Sequence, residues 1–516
     1  MRPGATLALG LFSLTWAQGS GGTAVAATTN EPPHLNPAIT TAGPVHVVAE
    51  SMYNGLVGLD REVNPVPELA ERWEVRDNAK TYIFYLRKGV FWHDGKPFTA
   101  EDVKYTFDEV LLKYHARTKA GLEAALLAIE TEGPYRVIFR FKNPYAPLLR
   151  RLDVTEAPIL PKHLYQGTNP LTNPYNQRPV GTGPFRFAEW QRGSQVVLVK
   201  NPDYFKPGLP RLDRIVFRFL PDPAAAAIAL ERGEVDYLWG VPGASLNRLQ
   251  SLPNLRLERH PAGPGGGYCI DTLVPNLKHP VLENRKVRQA LYQAINRDFL
   301  LERVYFGQGR LARGPIASTL PFFDPALTRY PYNPEEANRL LDEAGYPRRV
   351  GRARFSLRFT FAQPNFTSLA EVLKDNLRQV GVDLILEPLE FNAAVDRVYI
   401  KKDFDLGVAS LCGGSDPDIG VKRLLTSRNI GPIPFSNGAL YVNPLVDALL
   451  DRAVQTADEE KRIALYRQLQ QVVVRDLPYL WLVETEGYRA YNARLKGLRV
   501  WSGNAFEEAY WEGGQR

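Results

Sequence analysis

Reactive side chains are scarce in this chain of 516 residues, which carries two cysteines, two methionines and seven histidines. The cysteines, Cys269 and Cys412, form no CxxC pair and no Cys/His cluster, so neither a zinc finger nor a dithiol redox motif is present. The histidines stand singly, without the HExxH spacing of a metalloprotease. No G-x-G-x-x-G opens a helix after a strand, and no GxxxxGK[ST] loop is there to cradle phosphates. The nearest approach to a nucleophile elbow, Gly413-Gly414-Ser415, runs into Asp416-Pro417 without the second glycine. With no nucleophile–base pair in view, a hydrolase is a poor reading, and no cofactor or metal is expected. A basic block interleaved with aromatics is missing too; the net charge of +7 is spread over mixed-sign segments, which argues against nucleic acid.

A membrane-length apolar run is also lacking. The longest, at residues 5–17, holds about 13 residues and cannot cross ~30 Å of hydrocarbon. Arg2 ahead of it and Thr15-Trp16-Ala17 at its end make residues 1–17 a secretory signal peptide. No cysteine follows for lipid attachment, so the expectation is an exported protein, soluble after cleavage, in the periplasm or another extracytoplasmic space. In an oxidising compartment two cysteines are free to bridge, and two separate buried thiols are the alternative.

What the chain does contain is an ordinary globular composition, 44% hydrophobic and 23% charged, over a length too great for one core. Two or three domains are expected. Helix starts are well marked. Asn333-Pro334-Glu335-Glu336 supplies a cap, a proline at the first helical position and acids in the first turn, ahead of the stripe Ala337, Leu340, Leu341 and Ala344. Asp222-Pro223 and Asn443-Pro444 open helices in the same way. Such helices alternate with short apolar strands, as in "RQVGVDLILEP" and "KKDFDLGVAS", which predicts α/β domains.

The stretch "LRKGVFWHDGKPFTAEDVKYTFDEVLLKY" (residues 86–114) tests whether an aromatic–His–Asp cluster is a catalytic site or a structural corner. Residues 81–86 read as a strand, Asp94-Gly95 as a turn, and Thr99 with Asp102 as a capping box. Val103, Phe107, Val110, Leu111 and Tyr114 follow at helical spacing. Every residue has a structural task, so the corner is the reading adopted for His93.

Several blocks carry a resemblance along nearly the whole chain: "LNPAITTAGP", "SMYNGLVGLDREVNPVPELAERWEV", "YLRKGVFWHDGKPFTAEDVKYTFDEV", "VGTGPFRFAEWQRGSQVVLVKNPDYF", "NRKVRQALYQAINRDFL", "YNPEEANRLLDEAGYP" and "YVNPLVDALLDRAVQTADEEKRIALYRQLQ". In this order they resemble family 5 of the extracytoplasmic solute-binding proteins, the oligopeptide- and dipeptide-binding proteins of ABC importers. The resemblance implies a two-lobed periplasmic-binding-protein clamshell of type II-like architecture with an extra inserted α/β subdomain. The first lobe would comprise residues 18–45, 175–260 and 486–516, the inserted subdomain residues 46–174, and the second lobe residues 261–485. It also implies a peptide or small-molecule ligand in a closing cleft, a monomer, and delivery to a membrane permease with separate ATPase subunits. A nickel chelate, an oligosaccharide, an opine or heme are alternative cargoes, and a receptor or chaperone role without transport is another.

By the same resemblance three segments line the cleft. Thr29, Asn30 and Glu31 follow the first strand; Tyr268, Cys269 and Asp271 enter the second lobe; Leu411, Cys412, Gly413, Gly414 and Asp416 form a loop there. Asp416 serves equally well as a ligand partner or as the N-cap of the helix it precedes. Cys269 and Cys412 fall on the cleft side of the second lobe, where neighbouring strands would let them bridge. Two departures stand out. Peptide binders carry a Trp in the third loop and then an Asp that pairs with the peptide's α-ammonium; Ser410 or Leu411 and Gly413 or Gly414 stand there. After Pro364-Asn365, where dipeptide binders place an Arg for the carboxylate, Phe366-Thr367-Ser368 follow. Losing both charged anchors argues against a dedicated dipeptide site. Trp190, Trp239 and Trp481 are read as core rather than as sugar platforms.

Overall fold

The structure is a computed structural model that describes residues 21–261, 268–501 and 504–514; the leader read at residues 1–17 lies outside the described residues. The strands run β1 (Thr23–Thr28), a hairpin of β2 (Val57–Leu59) and β3 (Pro65–Pro67), then β4 (Ala70–Arg76), β5 (Thr81–Leu86), β6 (Leu126–Thr131) and β7 (Arg136–Phe141). Next come β8 (Phe185–Gln191), β9 (Gln195–Lys200), β10 (Arg214–Phe219), β11 (Tyr237–Leu238) and β12 (Leu255–Pro261). The later half supplies β13 (Cys269–Pro275), β14 (Gly309–Leu311), β15 (Phe355–Ala362), β16 (Val382–Leu389), β17 (Leu406–Cys412) and β18 (Leu480–Asn492).

One long strand joins two bodies. β18 pairs with β13 and β14 through its first half and with β12 and β11 through its second. It thereby fuses β16-β15-β17-β13 with β11-β1-β10-β9-β8 into a single sheet path. Thirteen residues at about 3.3 Å each give β18 the reach to serve both. The apolar side chains divide on either side of this crossing. One cluster gathers Leu291, Leu341, Leu373, Leu406 and Trp481. Another gathers Phe84, Trp92, Phe107, Phe139, Phe217 and Phe506 from the first body and from the separate antiparallel sheet β4-β5-β7-β6. A third, smaller cluster around Ala226, Leu230, Leu249 and Leu255 also belongs to the first body. Two bodies with their own cores, linked by crossing strands, are the physical content of a two-lobed α/β clamshell.

The local signals read from sequence are realised. The side chain of Asn333 accepts from the Glu336 amide at 2.9 Å at the start of helix Pro334–Glu343, and Asp222 caps Pro223–Glu231 through the Ala224 amide, also at 2.9 Å. Thr99 and Asp102 form the capping box of Ala100–Tyr105. Trp481 is buried in the second-lobe core, whereas Trp190 and Trp239 are half-buried at the edge of the first.

His93 is a corner post. Its backbone amide donates to the Gly181 carbonyl (2.9 Å), its Nδ1 accepts from the Gly181 amide (3.2 Å), and its Nε2 lies 3.0 Å from the Gly183 carbonyl. This ties the strand-to-helix turn to the "GTGP" loop. Burial pushes the imidazole down to about 4, against a weaker upward pull from the Gly183 carbonyl. The unfolded chain therefore binds the proton first, and the stability this group contributes is lost as pH falls from about 6.5 towards 4. His93→Gln should flatten that part of the stability–pH curve, removing at most ~3 kcal/mol of the difference between pH 7 and 4. Urea melts of wild type and variant measure this, and parallel curves would contradict it.

Candidate functional site

The two bodies touch where Tyr145, Arg150 and Arg151 meet residues 415–418 and Glu459. Tyr145 donates its hydroxyl to Asp418 Oδ2 (2.7 Å), and Arg151 donates to the same oxygen and to the Asp418 carbonyl, both at 2.9 Å. Arg151 and Asp418 are essentially inaccessible to solvent. Burial alone would raise the Asp418 carboxyl, but Arg151 and then Lys422 hold it well below the usual carboxylate range. Beside this pair Arg150 reaches Glu459 at 2.9 Å and accepts the Ser415 hydroxyl on its carbonyl at 3.2 Å. Its Nε donates to the carbonyl of Val63 (3.0 Å), whose side chain packs into the second-lobe core from the β2–β3 turn.

The predicted third loop lies at the root of this contact. β17 and β13 are antiparallel with Cys269 opposite Cys412, and the two are bonded as a disulfide. Gly414 has φ +69° and turns the chain there, which favours a residue without Cβ. Gly413 donates its amide to the Tyr268 carbonyl at 3.2 Å. Of the two roles read for Asp416, the cap is the one seen: it accepts from the Asp418 amide at 2.9 Å at the start of helix Pro417–Leu425. Its two oxygens also take Arg462 at 2.6 and 2.7 Å, with neither side chain exposed, so Asp416 has no face left for a ligand. Leu411 likewise departs from the cleft. Alternation along β17 sends it, with Ile270, into an apolar interior beside Trp481 and Leu425, while Ser410 is exposed on the opposite face. Asp271 is buried beneath Ser410, accepts the Tyr305 hydroxyl at 2.7 Å, and is raised by burial.

The first predicted segment is held elsewhere. Glu31 accepts from the Trp190 indole (2.9 Å) and the Gly193 amide (3.0 Å), while Thr29 and Asn30 bond to each other on the surface. No hydrogen bond or ion pair among the described residues joins these three to the second or third segment.

The cavity that does face both lobes is built from segments that sequence reasoning treated as scaffold. Its walls are residues 53–63 around the β2–β3 hairpin, the turn at Asp153 and Val154, and the C-terminal residues Arg499, Trp501, Asn504 and Glu507; Tyr268 closes it from the second lobe. Its free volume is about 60 Å³, well short of the ~300–1,000 Å³ of a small-molecule site, so a ligand has to part the two bodies to enter. Tyr268 has φ +48°, in the left-handed region, directly before β13. Below the cavity two carboxylates share one ammonium: Lys206 lies 2.7 Å from both Glu68 and Glu507. Glu507 also holds Arg499 at 2.5 Å and is kept low by the two cations despite its burial; burial raises Glu68. Among the described residues no group of His, Cys, Asp and Glu is arranged to hold a metal ion. A Trp and an Arg in a C-terminal segment without helical spacing, "GLRVWSGN", were the available signal for the missed wall.

Comparison with known proteins decides the family. The model of the bacterial extracellular solute-binding proteins, family 5, matches residues 64–432. The chain belongs to that family. Among its relatives is Di/tripeptide-binding protein 3 of Pseudomonas aeruginosa, 27% identical over 92% of each chain. Heme-binding protein A of Haemophilus influenzae is 29% identical, covering 93% of this chain and 90% of that one. The periplasmic binding protein DppA of Helicobacter pylori, solved with the peptide STSA, superposes with TM-score 0.79 at 26% identity, over 96% of this chain and 99% of that one. Among the described residues, no helix of this family 5 protein is long and apolar enough to cross a membrane.

In this solute-binding protein the Asp416–Arg462 pair should act as a unit. Arg462→Met leaves a buried carboxylate unpaired and should cost about 3–5 kcal/mol in denaturant melts. Asp416→Asn with Arg462→Met should cost less than the two single changes added together. Strict additivity would contradict the coupling.

Proposed function

We propose that this family 5 protein is the substrate-binding component of an ABC importer. It captures a peptide or related small organic solute between its lobes outside the cytoplasmic membrane, as a monomer, and hands it unaltered to a permease driven by separate ATPase subunits. The observation that carries this reading is the cavity roofed by Tyr268 of one lobe and floored by residues 53–63 and 499–507 of the other. Such a site forms only when the lobes meet, so ligand binding and lobe closure are one event. The disposition of charges fits a carrier rather than an enzyme. Glu68 and Glu507 share Lys206, and no Ser, Thr, Cys, Lys or His is among the described residues that line the cavity, so no nucleophile stands there for a carboxylate to activate.

For a heme cargo, named for the Haemophilus influenzae relative, the described lining residues offer only the phenols of Tyr53 and Tyr268 as iron ligands. Tyr268 and Trp501 would offer aromatic faces to an oligosaccharide, which makes that cargo the second reading.

Calorimetric titration with a mixed di- to tetrapeptide library, alongside mass spectrometry of co-purified ligand, tests the assignment. Saturable binding of library members is expected. A protein that leaves the library untouched and carries only a sugar or a metal chelate would contradict it.

A further inference from the structure

The acids around the cavity are not equally provided for. Glu68 and Glu507 share Lys206, and Glu507 also has Arg499. Asp60 accepts the amides of Glu62 and Asn64 within its own turn, at 3.0 and 2.8 Å. Arg61 faces Glu258 at 3.6 Å. Asp153 is different. Its Oδ1 accepts the Glu156 amide at 3.2 Å, and among the described residues it forms no ion pair with any Lys, Arg or His. A half-buried carboxylate on a cavity wall without a cation is costly unless one arrives from outside.

The backbone that presents Asp153 is fixed. The Val57 amide donates to the Leu152 carbonyl at 3.1 Å, and the Ala157 amide to the Asp153 carbonyl at 2.8 Å. Gly55 packs so closely that a Cβ there would stand 2.2 Å from the Leu152 oxygen. The carboxylate is therefore held at a set point of the wall, as an anchor must be. Burial first, and then the neighbouring charges of Glu156 and Glu50, push its carboxyl up to about 7, which the Glu156 amide and the more distant Arg117 offset only in part.

We propose that Asp153 anchors the protonated amine of the cleft's ligand, so that the cargo is an amine-bearing solute such as a peptide with a free N-terminus and not an anionic chelate. This rests on the cleft being the ligand site. It also supplies, from the inserted subdomain, the acid whose usual place in the third loop is held by glycine. An ammonium over Asp153 would give this wall carboxylate the ion-pair partner that the described residues do not supply, whereas an anion there would meet a second negative charge.

Two arms of one calorimetric experiment test it, using tripeptide libraries that are either free or N-acetylated at the amino end. Wild type should bind the free library at least about thirtyfold more tightly than the acetylated one. Asp153→Asn, verified as folded by its thermal melt, should lose a similar factor for the free library and show no further loss for the acetylated one. Equal affinity of wild type for both libraries would overturn the role of Asp153 while leaving the cleft as a peptide site; this arm needs no variant. Full retention of free-library affinity in Asp153→Asn would overturn it as well. Failure of wild type to bind either library would overturn the peptide reading itself, and the proposal with it.

Discussion

A buried contact between Arg151, Tyr145 and Asp418 organises the molecule. Asp418 sits in the first turn of a second-lobe helix, and its partners come from the inserted subdomain of the first lobe. Two positions back, Asp416 caps the same helix and is held by Arg462 from the long helix Glu459–Asp476. One turn of chain thus uses two acids for two attachments, one inside its lobe and one across to the other. Buried pairs of this kind are costly to break from one side, so they specify position more than they add stability. The disulfide at the end of β17 and the left-handed turn at Gly414 deliver the chain to this point.

This arrangement bears directly on the ligand. The acids nearest the loop after β17, Asp416 and Asp418, are both engaged in ion pairs. The open wall lies opposite, where residues 53–63, Asp153 and the C-terminal segment surround the cavity with Tyr268 above them. Of the charges there, most are matched within the protein. The chemistry of recognition is left to the few that are not, and to the aromatic faces of Tyr268 and Trp501.

Much of the fold was legible because its signals are local. Asn333-Pro334, Asp222-Pro223 and Thr99 with Asp102 carry their capping chemistry within four residues, and His93 had a structural role on the same grounds. The family blocks carried the two-lobed architecture. What resisted reading was set by distant partners. Nothing near Asp416 distinguishes a cap from a ligand acid; Arg462, which decides it, is 46 residues away. Leu411 and Ser410 differ in destination only through the register of β17 on β13, which fixes which of two neighbours faces the core. The cavity joins residues near 60, 153, 268 and 500, and no spacing along the chain announces that meeting.

The central claim is that a guest molecule draws these two bodies together. Small-angle scattering of ligand-stripped protein, titrated with a mixed di- to tetrapeptide library, measures it directly. The radius of gyration should fall on saturation. A profile that stays unchanged while calorimetry registers binding would contradict the account.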